Sequence, residues 1–385
     1  MGAGVAACSL VACLRQAGWE GSVALVESGR GPGGRAATRR SRHDPALLIN
    51  HGAPLFNISA SADQNALLAA LNKGGWITPW GGAICSLNGE GHIGAPEPAD
   101  RFCQGTLWQG RGGMEQLAAG LLAIAAAHRG VTALQTSSLV RHLQPEAQGW
   151  RLLGPDGTVL ARSRWLVLSG TLLGQRRCQE LLGWDAVPLQ RAASLRADPM
   201  LDQAAAAIAA TTATASSNLL LKLPAALTSS WLQQPWRLLQ FSAAAQQRWG
   251  LRRVSLQPQS DGAVAVVAES SAAFAERHKE VYGSRSSAAQ QLGAAPEPGA
   301  EAAVIQALNQ ALEEALGLET KGADRQLMRW GAAFPQPPGL PAALQLCPGS
   351  RIGFCGDYVE TDGFGRIEGA LLSAESLSKQ LLPLL

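Results

Sequence analysis

Three small residues at fixed spacing, Gly2, Gly4 and Ala7, stand at the head of an apolar run of helical period, and they constrain the fold more than any other feature. Val5, Leu10, Val11 and Leu14 fall near a 3.6-residue spacing, which predicts a helix over 5–15 with Gly18 placed to end it. The run Ser22–Glu27 (SVALVE) is short, apolar and β-branched, as a buried parallel strand requires. In a turn–helix–strand unit of this kind the first glycine permits the tight bend. The second lets a ligand pyrophosphate approach the backbone, and the small third residue lets helix and strand pack closely. The helix N-terminus then faces the phosphate charge. Glu27 ends the strand 20 residues after Ala7, where an acidic side chain accepts from ribose hydroxyls. Two plainer readings stand beside this one. A chain with 43 glycines meets such spacing by composition, and Glu27 also reads as a solvated strand-end carboxylate.

Composition narrows the classes. The 385 residues are 46% hydrophobic and 16% charged, enough for a sizeable core and unlike a disordered chain. A net charge of +3 is too balanced for nucleic acid or an anionic membrane as the main partner. The cysteines (Cys8, Cys13, Cys85, Cys103, Cys178, Cys347, Cys355) show neither a CxxC pair nor a histidine at metal spacing, so no metal site is expected. Their odd number fits reduced thiols in the cytoplasm. The longest uncharged stretch, 203–221, is interrupted by Thr211, Thr212, Thr214, Ser216, Ser217 and Asn218, which argues against a membrane span.

Beyond the first strand, 137–169 turns to a period of two and predicts an antiparallel meander closed by a buried strand at 164–169. Strands are expected at 236–241 and 263–268. An amphipathic helix is expected over 301–316, with Ile305, Leu308, Leu312 and Leu316 as its stripe. The 293–299 run reads as a loop and 335–349 as a return linker. The ends thus resemble one nucleotide-binding unit, with a second unit inserted between them.

The most specific segment is Ser28-Gly-Arg-Gly-Pro-Gly-Gly-Arg-Ala-Ala-Thr38, directly after Glu27. Gly33 and Gly34 expose backbone amides, and Arg35 can neutralise a pyrophosphate that Arg30 also approaches; a flexible basic loop is the plainer reading. Here the chain resembles the flavin amine-oxidase superfamily, where GxGxxG, a distal acid and GGRxxT mark FAD binding, and within it the renalase-like branch. Further along, Asn50-His51-Gly52-Ala53-Pro54-Leu55-Phe56 is similar to the family's D-x-GAQ-x-F segment, with Asn50 or His51 in place of Asp and Pro54 in place of Gln. Gly112-Gly113-Met114 resembles a helix start of the family, and Val131 its adenine-contacting strand. Arg329-Trp330 with Ala332 and Pro335 resembles its R-W-x-x-A-x-P segment. Gly356-Asp357 followed by Gly365-Arg366-Ile367-Glu368-Gly369-Ala370 and Ser373 resembles the motif that closes over the flavin. The Lys-Pro-Gly-Arg segment of renalase relatives is absent; Arg252 and Arg253 occupy its place.

The resemblance implies an α/β fold: a Rossmann-like FAD-binding domain (1–75, 105–175, 332–385) with an inserted mixed α+β substrate domain (76–104, 176–331). FAD is the implied cofactor. Gly2, Gly4, Ala7, Glu27, Gly33, Gly34, Arg35, Val131, Trp330, Gly356, Asp357, Ile367, Glu368, Gly369 and Ala370 are its implied contacts. Asp357 would accept from a ribityl hydroxyl, and the helix starting near Gly369 would stabilise negative charge on the reduced ring. Trp76, Trp80 and Trp108 are expected in core packing. His51 reads either as a ligand contact or as a satisfied structural histidine; Cys355 lies before Gly-Asp and outside an attachment motif, so the flavin would be held non-covalently and Cys355 reads as a small buried residue. The implied activity is hydride transfer from an amine or a reduced-nicotinamide-like small molecule to flavin, with O2 or another acceptor reoxidising it. No catalytic side chain is assigned. Two other classes remain open: a carotenoid desaturase or isomerase, and a non-catalytic flavin-binding module.

Only Met1 precedes Gly2, whereas the fingerprint context places a parallel strand of about five or six residues there, in the middle of the sheet. The expectation is a fold with its first strand missing, and a start that lies too late. An apolar, β-branched N-terminal extension is therefore expected to raise melting temperature and flavin occupancy together. Stoichiometric FAD in protein of confirmed mass starting at this Met1 would contradict the expectation.

Overall fold

The computed structural model describes residues 1–40, 44, 46–59, 65–98, 100–284, 290, 291, 293 and 297–385. The apolar SVALVE run forms the strand Val23–Val26, which pairs in parallel with Thr132–Gln135. A second parallel pair joins Leu166–Leu168 to Ile352–Phe354, and Leu346–Cys347 lies antiparallel on its outer edge. Met1 and Gly2 stand between the two pairs. The Met1 amino group donates to Val167 O (2.5 Å), Gly2 N to Val26 O (2.8 Å), and Ser169 N to Met1 O (3.1 Å). The parallel layer is thus two small sheets joined by this short stretch, in place of one sheet with a central strand.

Helix Val5–Gln16 begins at Gly4 and ends before Gly18, whose φ of +85° lets the chain reverse without the penalty a side chain would meet. It packs against helices Glu115–Ala126 and Ile367–Leu381. Their shared core includes Leu10, Leu14, Leu117, Leu121, Leu371 and Leu377. The final helix starts two residues before the expected Gly369, with Arg366 in extended conformation at its N-cap.

The meander forms as expected, from His142–Glu146, Gly149–Leu153 and Val159–Ser163. Its fully buried Trp150 donates Nε1–H to Ser350 O (3.0 Å), tying it to the C-terminal sheet. The boundary expected at 176 does not coincide with a break in packing. Helices Arg177–Leu182, Pro188–Ala193 and Pro199–Ala210 follow it, and Cys178, Leu189, Ala192, Leu201 and Ile208 share one core with Leu166, Leu168, Ile352 and Phe354.

The larger sheet has seven strands, in the order Asp324–Gln336, Thr212–Lys222, Val264–Ser270, Leu251–Pro258, Leu238–Phe241, Ile84–Leu87, Ile93–Gly94. Ile77–Pro79 does not join it. That strand pairs with Thr106–Gly110, beside Phe56–Ile58, and Trp76 and Trp108 pack on the first core. One face of the large sheet is sealed by helix Pro298–Leu316, which starts before the expected Glu301. Its buried stripe is Val304, Leu308, Leu312 and Ala315, so Ile305 and Leu316 lie at its margins. The 293–299 loop falls partly outside the described residues. The other face, through Leu220, Ala265 and Val267, packs against Leu47 and Ile49. Among the described residues no helix is long and apolar enough to cross a membrane.

Trp150 fills volume and satisfies its N–H at once. Trp150→Ala is expected to cost about 3–5 kcal/mol, and Trp150→Phe less. Thermal unfolding of both variants checks the order; an unchanged midpoint for the alanine variant would show that the meander is not held here.

Candidate functional site

The glycine turn and the Gly-Gly-Arg loop meet directly. Gly33 N donates to Ala3 O (2.8 Å), Gly4 and Gly33 form a parallel bridge, and a Cβ on Gly34 would lie 3.4 Å from Gly4 Cα. Gly33 and Gly34 have φ of +118° and +57°, so these turns favour glycine on backbone grounds alone. Gly2 has no room for a side chain: a Cβ there would meet Ser169 Oγ at 2.5 Å. A Cβ on Gly4 would meet nothing within 4 Å, so the turn leaves open space beside the start of helix Val5–Gln16. That helix has no side-chain cap and no acidic residue in its first turn. Ala7 is buried behind it. An uncapped, positive helix end facing open space across a glycine suits an anion.

Glu27 stands at the end of its strand beside this turn. Its Oε2 accepts from Ala3 N (2.7 Å) and its Oε1 from Gly29 N (2.6 Å). Each carboxylate oxygen keeps further acceptor capacity for a hydroxyl. The neighbouring strand reaches Glu27 with its far end: Glu27 N donates to Gln135 O (2.8 Å) and Ser138 N to Glu27 O (2.9 Å). Val131, expected as a cofactor contact, begins that strand at the opposite end and is 67% exposed. The parallel register therefore puts the 135–138 stretch, and not Val131, beside Glu27.

Arg35 crosses the cleft. It donates to Asp357 Oδ1 (2.5 Å) and to Ala333 O (2.7 Å), so two residues expected to hold different parts of a cofactor hold each other. Beneath it, Ala53 N donates to Arg35 O (2.9 Å), and a Cβ on Gly52 would come 2.0 Å from that oxygen, which requires glycine at 52. Gly356 is locked by Ser373: Gly356 N donates to Ser373 Oγ (2.9 Å), which donates back to Gly356 O (3.0 Å). Cys355 is fully buried, and burial pushes its thiol up to about 12, as an inert packing residue.

Glu368 is held through its side chain. It is fully buried, its Oε1 accepts from Ser59 N (2.8 Å) and from Ser59 Oγ, and its Oε2 pairs with Arg366. Its side chain therefore fixes the helix start to the Ser59 segment. Gly369 N donates to Gly363 O (3.1 Å), so one amide of that helix start is already occupied; Ile367 and Ala370 pack into the first core.

Trp330 comes to the site on the edge strand of the large sheet and stacks on His51, with ring centroids 5.3 Å apart and planes 10° from parallel. His51 O accepts from Trp330 Nε1 (3.1 Å) and from Asn218 Nδ2 (2.8 Å). His51 is 7% exposed, and its Nδ1 is buried without a hydrogen-bond partner. Burial, then the charges of Arg39 and Arg30, bring its pKa down to about 3, so the ring is neutral at physiological pH. Asn50, beside it in sequence, accepts on Oδ1 from Thr38 Oγ1 (2.7 Å) and Met114 N (2.9 Å) without carrying a charge. Sequence reasoning did not single out Ala333, Asn218 or Arg177. Arg177 is partly buried near Arg35, and burial and that neighbour lower its pKa to about 10. Nothing in the local pattern marks these three, because they act through partners distant in sequence.

A family model described as an NAD(P)-binding Rossmann-like domain matches residues 1–73. No curated protein sequence matches the chain. Among solved structures, a candidate protoporphyrinogen oxidase from Exiguobacterium sp. 255-15 superposes with a TM-score of 0.64 at 13% identity, covering 100% of this chain and 98% of that one. Cyclohexylamine oxidase from Brevibacterium oxydans IH-35A superposes at 0.63 and 14% identity, covering 99% and 97%. A putrescine oxidase double mutant superposes at 0.59 and 12% identity, covering 99% and 98%. What these proteins share with the chain is the whole fold, including its dinucleotide-binding part.

The neutral state of His51 gives a pH signature. Between about pH 6.5 and pH 3 the unfolded chain takes up a proton that the folded chain refuses, so stability is present above 6.5 and lost as pH falls. His51→Gln is expected to flatten the fall in melting temperature from about pH 7 to about pH 5. Identical slopes for variant and wild type would show that His51 already carries a proton in the folded state.

Proposed function

We propose that the chain is an FAD-dependent oxidoreductase of the flavin amine-oxidase type, renalase-like in its motifs. It would take hydride from an amine or a reduced-nicotinamide-like small molecule and pass electrons to O2 or another acceptor. The observation that carries this reading is the convergence of Gly4, Glu27, Gly33, Gly34, Arg35, Gly356 and Asp357, drawn from both ends of the chain, around an uncapped helix start beside open space. The full-length likeness in fold to amine oxidases supports it.

The residues fit the cofactor as follows. The first amides of helix Val5–Gln16 and the Gly33–Gly34 backbone would bind the diphosphate, Glu27 a ribose, Arg35 the diphosphate charge and Asp357 a ribityl hydroxyl. FAD bound there supplies two-electron hydride acceptance, chemistry that no side chain provides. The chain's own work is binding, orientation and electrostatics. Trp330 and the neutral His51 ring form a flat apolar wall held by Asn218, which keeps charge away from a reacting carbon or nitrogen. We assign no protein base, since hydride leaves an amine or a dihydronicotinamide without one. The first-core segments would form the FAD domain and the large sheet the substrate domain, in the reducing cytoplasm where seven free cysteines remain thiols.

Purified protein is expected to absorb near ~370 and ~450 nm, and its flavin to bleach anaerobically with at least one member of a panel of amines and dihydronicotinamides. Bound flavin that none of them reduces would favour a non-catalytic module. Arg35→Ala is expected to weaken FAD binding by about 1.5–3 kcal/mol, the scale of a charged hydrogen bond. Unchanged affinity in an apoprotein titration would remove Arg35 from the site.

A further inference from the structure

The face of the large sheet that carries Leu220, Ala265 and Val267 also carries, by strand alternation, a polar row. Register places Asn218 opposite Glu269, Glu269 opposite Arg253, and Arg253 opposite Gln240. Asn218 is the residue that holds His51 O, so the row begins beside the His51–Trp330 stack. Regular alternation would send Arg252 to the opposite face, where Leu251 and Val254 join the core under helix Pro298–Leu316. The register shifts between Leu251 and Arg253, and this bulge turns two consecutive arginines onto the same face.

Both converge on Glu269, which is 4% exposed. Its Oε1 accepts from Arg252 Nη1 (3.1 Å) and its Oε2 from Arg253 Nη2 (2.6 Å). Each guanidinium thus commits one nitrogen. Among the described residues neither makes a further hydrogen bond, and none of their other nitrogens is enclosed. The Arg252 guanidinium carbon lies 3.7 Å from the centroid of the Phe334 ring, and that of Arg253 lies 5.7 Å from the Phe102 ring. Gln240 Nε2, next in the row, has no partner. Phe334 shares its strand with Trp330, four residues away and on the order of 13 Å along the chain.

A tie between strands needs only Arg253, which stands directly opposite Glu269 and is 12% exposed in its side chain. Arg252 is 40% exposed and presents the rest of its fork above an aromatic ring. Two guanidinium groups share one carboxylate in contact. Asp100 also acts on Arg252, but from beyond ion-pair distance, and its Oδ1 accepts from Phe102 N (2.8 Å). One more singly charged acceptor fits here without displacing Glu269. A carboxylate has that charge and matches the edge of a guanidinium with two oxygens.

We propose that Arg252 and Arg253 are specificity-determining residues that bind a carboxylate of the substrate. The hydride donor is then an organic acid, with its acid group on the arginines and its reacting end toward Trp330. This rests on the oxidoreductase reading above and names a substrate class for it.

The test is calorimetric titration of the full-length, FAD-loaded protein with phenylacetate, phenylethanol and benzyl phosphate, in wild type, Arg252→Gln and Arg252→Lys. Wild type is expected to bind phenylacetate at least ~10-fold more tightly than phenylethanol, the scale of one charged hydrogen bond. Arg252→Gln is expected to abolish that preference and to leave phenylethanol and FAD binding unchanged. Arg252→Lys should recover part of it, because it restores charge without the fork. Wild type that binds FAD but does not prefer phenylacetate overturns the proposal and leaves the oxidoreductase reading intact. Equal losses for phenylacetate and phenylethanol in Arg252→Gln overturn it in favour of a structural role. Benzyl phosphate bound more tightly than phenylacetate, with the same dependence on Arg252, overturns the carboxylate in favour of a phosphate-bearing substrate. Protein that takes up no FAD overturns the reading beneath, and the proposal with it.

Discussion

The hydrogen bond from Gly33 N to Ala3 O is the join on which the cleft depends. It brings two loops together backbone to backbone, with Gly33 in a positive-φ turn that favours glycine and Gly34 close against Gly4. The same join sets the direction of everything after it. The short helical turn Gly34–Ala36 starts from Gly33, and Arg35 leaves that turn toward Asp357, 322 residues further along. Ser373 then holds Gly356 from the final helix, so the C-terminal loop is fixed from behind as well as from across the cleft. Glu27 closes the arrangement by accepting from Ala3 N, which keeps the turn and the strand end in register.

Much of this was legible in the sequence because its causes are local. A glycine needed for a positive φ or for close approach stays visible as a glycine, and the motif at 2–7 and the run at 33–34 are of that kind. Apolar runs gave the parallel strands, and a 3.6 period gave the long helices to within a few residues. What local pattern leaves open is direction and partnership. Val131 lies on the expected strand, but only the register Val26↔Gln135 reveals that the other end of that strand meets Glu27. Glu368 sits in a matching motif, yet Ser59 and Arg366 turn its carboxylate into the core. The boundary expected at 176 has no local signal either: Cys178, Leu189 and Ile208 carry no mark that assigns them to one core or another.

The neutral side chain at 50 has an electrostatic reading that agrees with the rest of the cleft. A carboxylate at that position would serve Thr38 Oγ1 and Met114 N equally well as an acceptor, so hydrogen bonding alone does not select the amide. The difference is one negative charge. Next to Asn50, His51 is kept neutral by burial and by the fields of Arg39 and Arg30. A negative side chain at 50 would offset part of this field from within the protein and weaken its pull on an incoming anion. With Asn50 neutral and His51 unprotonated, neither side chain adds charge to a cleft in which Glu27 already accepts from Ala3 N and Asp357 from Arg35.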